Sequence, residues 1–181
     1  MIRGFAPIAR PDARVLVLGT IPSERSLAEH QYYAHPRNSF WKIMLTLFAK
    51  GTDLDYPERA ELLTRNRVAL WDVLHAGDRP GSLDSSIVSG TAVPNDIAGF
   101  LELHPDVRAV FFNGTAAEKL YHAHNTLPPD RAMTFTRLPS TSPAHAARSF
   151  ADKLAAWQVV ATAAGGSDRV SQRSEIDGRK P

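Results

Sequence analysis

The amino-acid sequence predicts an α/β protein of three layers, in which helices cover both faces of a central, mostly parallel sheet of four strands. Short apolar runs that suit buried strands alternate along the chain with stretches of helical periodicity, and short links join them. The length of 181 residues, with 43% hydrophobic and 22% charged residues, suits one globular domain with its own core.

Four short apolar runs are predicted to form the strands. The first covers residues 13–18 and stops at Gly19, and the others cover residues 68–71, 107–112 and 133–138. A continuous apolar run of about four to eight residues that ends at a turn signal is typical of a strand buried on both faces. These runs therefore favour the interior of a parallel sheet.

Four helices are predicted from apolar residues that recur on one helical face. Their ranges are 38–48, 96–103, 115–121 and about 142–163. In the last helix, Ser142 is a plausible N-cap and Pro143 suits the first helical position.

The composition excludes several classes of protein. A chain without cysteine has no disulfide, thiolate nucleophile, cysteine zinc site or iron–sulfur cluster. No apolar run approaches the roughly 18 residues of a membrane span, and residues 1–7 lack the apolar core of a secretory signal. We therefore expect a cytoplasmic protein without a membrane contact. The 21 basic and 19 acidic residues leave a net charge of +2, which suits contact with phosphates but not general polyanion binding.

The folded domain is expected to cover residues 1–164, and residues 165–181 are expected to form a disordered C-terminal tail. From Gly165 onward the only apolar residues besides the final proline are Val170 and Ile176. A segment of this composition buries too little apolar surface to become ordered.

Three motifs carry the functional prediction, and each follows a predicted strand. In open parallel sheets, ligands bind beyond the carboxyl ends of the strands. The first motif, Gly19-Thr20-Ile21-Pro22-Ser23, has a small residue that lets the backbone approach a ligand and a proline that fixes the turn. By itself it is equally consistent with a strand-to-helix turn that binds nothing.

The second motif combines aromatic, basic and amide side chains before an apolar helix. It reads Tyr32-Tyr33-Ala34-His35-Pro36-Arg37-Asn38-Ser39-Phe40-Trp41. Pro36 disfavours helix at His35, which predicts an extended loop that ends where a helix begins. Either tyrosine could stack on a planar ligand, and Arg37 could meet a phosphate. Asn38 could act in catalysis or could simply cap the helix.

The third motif runs from Arg137 to His145. It offers hydroxyls and backbone N–H groups at a predicted helix N-terminus, where a phosphate could bind, although a plain helix cap is the alternative. Two further polar residues follow predicted strands. Asp72 could accept a hydrogen bond from a purine N–H or cap the next turn, and Asn113 could read a base edge or form the turn before Gly114.

The histidines do not indicate a metal site. His122 and His124 are two residues apart on a predicted helix and so lie on different faces, and His104 is distant in sequence. We therefore expect no metal and no cofactor.

Together the three motifs resemble the uracil-DNA glycosylase superfamily. The resemblance is carried by Gly-x-x-Pro after the first strand, His-Pro-x-Asn-x-Phe-Trp in the second motif, and Leu-Pro-x-x-Ser before the last helix. Tyr-Tyr-Ala-His-Pro-Arg-Asn-x-Phe-Trp with Leu-Pro-Ser-Thr-Ser-Pro-Ala resembles the hypoxanthine (deoxyinosine) DNA glycosylase branch, over about residues 13–163. The resemblance implies a uracil-DNA glycosylase-like fold, a monomer, and DNA with a deaminated base as substrate.

The resemblance also assigns roles residue by residue. Asn38 matches the catalytic asparagine of the branch, Tyr33 the aromatic residue that stacks on the extruded base, and the backbone N–H groups of Thr20 and Ile21 those that bind a base carbonyl. The residues expected to line the base pocket are Thr20, Ile21, Pro22, Tyr33, His35, Asp72, Asn113 and Ser140. The residues expected to contact DNA are Ser23, Arg37, Thr141, Ser142, Pro143, Ala144 and His145.

The sequence departs from the family pattern at three of these positions. Ile21 stands where many relatives hold a catalytic Asn or Asp, and an apolar side chain cannot orient water. Ser140 takes the position where relatives hold a His or Asn near the base, and His145 replaces the expected asparagine. Ala144 matches the loop that enters the duplex, where it is a small residue.

The implied activity is hydrolysis of the N-glycosidic bond of a flipped deoxyinosine. No lysine lies in the motifs to form a Schiff base, so a monofunctional enzyme that leaves an abasic site is expected. Two alternatives stay open. One is a mismatch-type uracil-DNA glycosylase, and the other is a non-catalytic nucleic-acid-binding relative, which the vacant position at Ile21 motivates.

Overall fold

A computed structural model describes residues 1–124, 132–144 and 147–165 of the chain. Four of its strands are β2 (Val15–Gly19), β3 (Val68–Asp72), β6 (Ala109–Asn113) and β7 (Thr134–Leu138). They form one sheet in the order β3-β2-β6-β7, and all three neighbouring pairs are parallel. The predicted four-stranded parallel sheet is confirmed.

The register aligns the carboxyl ends of these strands. Gly19 at the end of β2 pairs with Asp72 at the end of β3, and Asn113 at the end of β6 pairs with Leu138 at the end of β7. Every residue of β2 and β6 is buried, as expected for the two central strands of a covered parallel sheet. The first residues after each strand therefore meet at one edge.

Within the described residues, six α-helices accompany the sheet. They are α1 (Glu24–Glu29), α2 (Phe40–Ala49), α3 (Tyr56–Arg65), α4 (Ile97–Leu103), α5 (Thr115–His124) and α6 (Phe150–Ala163). One core contains Phe40 of α2, Leu63 of α3 and Trp157 of α6, packed on one face of the sheet. A second core contains Phe100 of α4 and Tyr121 of α5 on the other face. The three-layer architecture is confirmed.

A second, smaller sheet was not predicted. It consists of β1 (Ile2–Arg3), β4 (Leu74–Gly77) and β5 (Val93–Pro94), which pair antiparallel in the order β1-β4-β5. Only Val73 separates β3 from β4, so the chain passes directly from the parallel sheet into the small one. The segment between β4 and β5, residues 78–92, then crosses back beside the end of β2.

The predicted start of the last helix is wrong. Ser149, not Ser142, is the N-cap of α6: its hydroxyl accepts the backbone N–H of Asp152, and the Asp152 carboxylate accepts that of Ser149. Ser142 and Pro143 lie in the preceding loop, where the Ser142 hydroxyl accepts the N–H of Ala144 and forms a local turn instead of a helix cap.

Two predictions fall outside the described residues: His145, and residues 166–181, which make up nearly all of the predicted tail. In the described part of the chain, no helix combines the length and the apolar character that a membrane span requires.

Candidate functional site

A cavity of about 800 Å³ opens at the carboxyl edge of the parallel sheet. The last residues of all four strands line it, namely Gly19, Asp72, Asn113 and Leu138. This is the position at which open parallel sheets hold their ligands.

The cavity brings together most of the residues singled out in the sequence. Those that line it are Thr20, Ile21, Pro22, Ser23, Tyr33, His35, Asn38, Asp72, Asn113, Ser140, Thr141, Ser142, Pro143 and Ala144. Arg37 is exposed and is not among the lining residues. The roles assigned to these residues stay predictions, but the fold brings together a motif that follows β2, a motif between α1 and α2, and a motif that follows β7.

The first wall is the loop that follows β2, and its carbonyl groups are held from behind. The carbonyl of Gly19 accepts the N–H of Val73 at 2.9 Å, and that of Thr20 accepts the N–H of Leu74 at 3.0 Å. The side chain of Ile21 is 5% exposed and packs in the core on the α4–α5 face. Ile21 therefore contributes its backbone to the site and its side chain to the core.

Arg79 completes this wall from the segment between β4 and β5. Its buried guanidinium donates to the carbonyl of Ile21 at 3.1 Å and to that of Pro22. It also lies 3.6 Å from a carboxylate oxygen of Asp84, which accepts the hydroxyl of Thr20 at 2.7 Å. Burial lowers the pKa of Arg79, and Asp84 and Asp72 oppose that shift. No sequence pattern indicates that Arg79 binds these carbonyls, because Arg79 and Ile21 are 58 positions apart in the chain.

The floor of the cavity is polar and closely packed around Gly19. A Cβ placed on Gly19 would lie 2.3 Å from a carboxylate oxygen of Asp72 and 2.7 Å from the hydroxyl oxygen of Tyr33. Only glycine leaves room for both groups. The Tyr33 hydroxyl and the second carboxylate oxygen of Asp72 are buried without a hydrogen-bond partner among the described residues. Two unsatisfied polar atoms in one cavity wall are what a ligand-binding pocket offers to an absent ligand.

The carboxyl group of Asp72 takes up a proton more readily than an ordinary carboxyl group. Burial, followed by the nearby carboxylate of Asp84, raises its pKa to about 7, and Arg79 opposes the shift. Burial and the charge of Asp72 also raise the pKa of the Tyr33 hydroxyl. At neutral pH and below, Asp72 can therefore donate a hydrogen bond as well as accept one.

The structure distinguishes the two tyrosines of the second motif. Tyr32 is 3% exposed, its hydroxyl donates to the carbonyl of Ala6, and its carbonyl accepts the indole N–H of Trp41. Both tyrosines line the cavity, but Tyr33 is less buried than Tyr32, has a positive φ of 53°, and stacks one face of its ring on Phe40 at 4.2 Å between centroids. Tyr33 is thus the tyrosine placed to meet a ligand.

Asn38 lies at a tight turn before α2. Its N–H donates to the carbonyl of His35, and its side-chain oxygen accepts the N–H of Phe40 at 3.0 Å. Ser39, the N-cap of α2, makes no side-chain capping bond, so the Asn38 side chain takes part in starting the helix. An amide oxygen has two lone pairs, and the amide nitrogen is also free for other partners. Capping therefore leaves Asn38 the capacity to bind water in the cavity.

The loop after β7, which carries the third motif, forms another wall of the cavity, and Thr141 is the residue that anchors this loop. The side-chain oxygen of Asn113 accepts the N–H of Thr141, and its side-chain nitrogen donates to the Thr141 hydroxyl, both at 2.8 Å. The carbonyl of Thr141 accepts the backbone N–H and the hydroxyl of Ser39. Asn113 therefore holds this loop against the end of β6 through both atoms of its side-chain amide.

Helix α6 supports the same loop from below. The indole N–H of Trp157 donates to the carbonyl of Pro139 at 2.9 Å, and the ammonium group of Lys153 donates to that of Ser142 at 3.4 Å. Because α6 begins at Phe150, the prediction that the third motif lies at a helix N-terminus is wrong, and phosphate contact by its hydroxyls stays a prediction. The hydroxyls of the third motif stand on a loop held by side chains.

Comparisons with known proteins agree with this arrangement. Residues 6–161 match the family model of the uracil DNA glycosylase superfamily. A hypoxanthine DNA glycosylase of Methanosarcina acetivorans is 38% identical over 116 residues, which are 64% of this chain and 72% of that protein. One of Methanosarcina barkeri is 34% identical over 113 residues, which are 62% and 70% of the two chains. A solution NMR structure of a candidate uracil DNA glycosylase from Methanosarcina acetivorans has a TM-score of 0.69 and 32% identity, and the match covers 86% of this chain and 96% of the other.

Proposed function

The chain belongs to the uracil DNA glycosylase superfamily and is a DNA glycosylase, and from this premise we propose that it excises hypoxanthine from DNA that contains deoxyinosine. The observation that carries the proposal is one cavity that holds Asn38 together with the unpartnered polar groups of Asp72 and Tyr33. The names of the two curated relatives, whose lengths are largely covered, support the same base.

The cavity offers groups that complement a flipped hypoxanthine. The base carries acceptors at O6 and N7 and a donor at N1, and its ring is flat. The backbone N–H groups of Thr20 and Ile21 supply donors for a carbonyl oxygen, the neutral carboxyl of Asp72 supplies a donor or an acceptor, and Tyr33 supplies a face for stacking.

Catalysis follows from charge that develops on the base and on the sugar. As the bond between C1′ and N9 breaks, the base gains negative charge and the sugar becomes oxocarbenium-like. Donors already aimed at the base oxygen stabilise that charge without reorganisation. Asn38 orients the attacking water through its amide oxygen, which suits late attack on an already cationic sugar. The water proton is then lost to solvent or to the departing base.

The rim of the cavity would hold the DNA backbone. The side chains of Ser23, Arg37 and Ser142 would contact phosphates on either side of the flipped nucleotide, with the hydroxyl of Ser140 nearby. Thr141, which was also expected to contact DNA, is buried with its hydroxyl bonded to Asn113, so it would act by holding this loop. Such contacts fix the register of the duplex and carry no sequence information. A single chain forms the whole cavity, and we propose that the enzyme acts as a monomer.

A monofunctional reaction is part of the proposal. Lys153 is the lysine that contacts the third motif, but its side chain is 6% exposed and its ammonium group bonds the carbonyl of Ser142. It is therefore not presented to an abasic sugar, and the product is expected to be an uncut abasic site until alkali is added.

The test is single-turnover excision on duplexes with one deoxyinosine or one deoxyuridine, followed by alkali. The wild-type protein is expected to cut the inosine strand well ahead of the uracil strand. Asn38→Ala is expected to slow excision by about a hundredfold or more while DNA affinity stays within about threefold. Asn66→Ala is the matched control, since Asn66 lies outside the cavity and its side chain bonds the carbonyl of Leu62 in α3.

The other outcomes are equally informative. Excision of uracil ahead of hypoxanthine would replace the proposal with a mismatch-type uracil glycosylase. A folded protein that binds DNA and excises neither base would be the non-catalytic relative. Full activity in Asn38→Ala would remove Asn38 from the mechanism.

A further inference from the structure

A buried arginine stands directly behind the loop that follows β2, where neither the sequence motifs nor the comparisons assign a role. We propose that Arg79 is a positioning residue of the glycosylase, which holds the carbonyls of Ile21 and Pro22 so that the Ser23 N–H faces the flipped base beside those of Thr20 and Ile21. The proposal rests on the proposed function. It adds a residue that does not contact the base itself and acts through the backbone of the loop after β2.

The direction of these N–H groups follows from peptide geometry. The peptide bond is planar and trans, so each N–H points opposite to the carbonyl of the same peptide, and the described chain contains no cis peptide. All four carbonyls from Gly19 to Pro22 are bonded from behind, two by backbone N–H groups and two by Arg79. Among the described residues, no partner is found for the N–H groups of Thr20, Ile21 and Ser23. They point away from the residues that bind the carbonyls.

An arginine is suited to this position because of Pro22. Pro22 has no N–H of its own to donate, and among the described residues no backbone N–H bonds the carbonyl of Ile21 or Pro22, so both carbonyls depend on a side-chain donor. The planar guanidinium fork presents several donors in fixed directions and serves both carbonyls at once. Asp84 balances the buried charge at 3.6 Å and accepts the Thr20 hydroxyl, so the same network fixes the residue where the loop begins.

The consequence for the reaction is preorganisation. If the peptide of Pro22 and Ser23 rotated, a carbonyl would replace an N–H at the edge of the cavity and would repel the developing charge on the base. Hydrogen bonding of the Pro22 carbonyl to a cation also polarises the Ser23 N–H, because linked hydrogen bonds strengthen one another. Arg79 therefore acts on the transition state more than on the binding of DNA.

The experiment compares Arg79→Met, Arg79→Lys and the wild type on duplexes with deoxyinosine or 6-thiodeoxyinosine. Sulfur is a weak acceptor, so an array of N–H donors distinguishes the two bases. Arg79→Met is expected to slow single-turnover excision of hypoxanthine by about a hundredfold, as for loss of an oxyanion donor, with DNA affinity within about threefold. The ratio of the excision rate on deoxyinosine to the excision rate on 6-thiodeoxyinosine should be smaller in Arg79→Met than in the wild type. The ratio in Arg79→Lys should lie between those two values.

Two measurements separate positioning from folding. Arg67→Met is the matched control, because Arg67 is a partly buried arginine just before β3, at the opposite end of the sheet, and pairs with Asp12. It should lower thermal stability without changing the ratio of rates. In addition, the 15N-labelled amides of Ile21 and Ser23 should shift when hypoxanthine is added to the wild type. In Arg79→Met the Ser23 shift should be lost, whereas the Ile21 shift should remain, because the carbonyl of the Thr20–Ile21 peptide is bonded by the Leu74 N–H.

An unchanged excision rate in Arg79→Met would overturn the proposal. Equal losses of excision rate on both bases, with the Ser23 amide shift retained, would also overturn it. Failure of the proposed function looks different, because the wild type itself would then leave deoxyinosine uncut. If the wild type instead excises uracil, the same variants are compared on deoxyuridine and its 4-thio analogue. If it excises neither base, the amide shifts on addition of hypoxanthine decide: shifts absent from the wild type overturn the role of Arg79.

Discussion

Asn113 and Thr141 bind each other through two hydrogen bonds of 2.8 Å, one to the backbone and one to the side chain of Thr141. Both residues are buried, and the Thr141 carbonyl accepts two hydrogen bonds from Ser39. The pair thus joins the end of β6 to the loop after β7, and through Ser39 to the start of α2. Because Asn38 precedes Ser39, the position of the proposed catalytic amide depends on this clamp.

Removal of the clamp should cost stability as well as rate. Asn113→Ala leaves the buried N–H of Thr141 without a partner, and we expect the free energy of unfolding to fall by about 1–3 kcal/mol in urea denaturation. Thr141→Val removes only the hydroxyl and should cost less. The double variant should lose less than the sum of the single losses, because the residues share one interaction. Strictly additive losses would show that the two do not act as a pair.

Gly19→Ala tests the packing of the cavity floor. The new methyl group would lie 2.3 Å from Asp72 and 2.7 Å from Tyr33, so one or both groups must move. We expect a loss of stability of about 1–3 kcal/mol and a marked loss of excision. Gly90→Ala is the matched control, since a Cβ at Gly90 meets nothing within 4 Å. Equal behaviour of the two variants in thermal unfolding would contradict the close approach.

Asp72 should make stability depend on pH in an unusual direction. Its pKa is raised to about 7 in the folded protein by burial and by Asp84, from an ordinary value of 3.8. Between these values the folded chain holds a proton that the unfolded chain has lost, so stability falls as pH rises from about 4 to about 7 and then levels off. Asp72→Asn should remove this decline, and urea unfolding at about pH 5 and pH 8 measures it. The exposed Asp106→Asn serves as control, and a decline that persists in Asp72→Asn would assign it to another group.

Arg37 should contribute affinity without selectivity. Its side chain is exposed beside the cavity, and a phosphate contact there would release about one counterion. Arg37→Gln should weaken binding to every duplex by a similar factor and should reduce the salt dependence of the logarithm of the affinity by about one unit. Arg10→Gln, at an exposed position before β2, should leave this slope unchanged. A loss confined to inosine-containing duplexes would place Arg37 in the base pocket instead.

The parallel sheet could be predicted because its strands are buried on both faces. Residues 15–18 of β2 and 109–112 of β6 are continuously apolar, and such runs carry a strong signal. The small sheet has strands of two to four residues, which are too short for a pattern to emerge. The start of α6 was misplaced because Ser142-Pro143 imitates a helix start, whereas Ser149 and Asp152 form the actual capping box.

The site likewise contains residues that the sequence brings together and residues that only the tertiary fold brings together. Tyr33 and Asn38 belong to a motif of ten adjacent residues, so the sequence alone brings them together. Arg79 and Asp84 act on the loop after β2 only because β4 and the segment that follows it fold back, and no periodicity or spacing encodes that contact. The pairing of Asn113 with Thr141 is also a tertiary contact, and it gives Asn113 a structural role that neither sequence-based interpretation, a base contact or a turn before Gly114, included.

Leu83 forms part of the cavity rim and is 55% exposed. Both of its neighbours are held by hydrogen bonds: the Ser82 hydroxyl accepts the N–H of Glu24, and the Asp84 carboxylate accepts the hydroxyl of Thr20. The flanking bonds fix a solvent-facing position at the mouth of the pocket. Since the chain contains no cysteine, Leu83→Cys would create a single thiol there. Disulfide crosslinking to DNA with a tethered thiol would then trap the enzyme on its substrate at one defined point, without removal of any other reactive group.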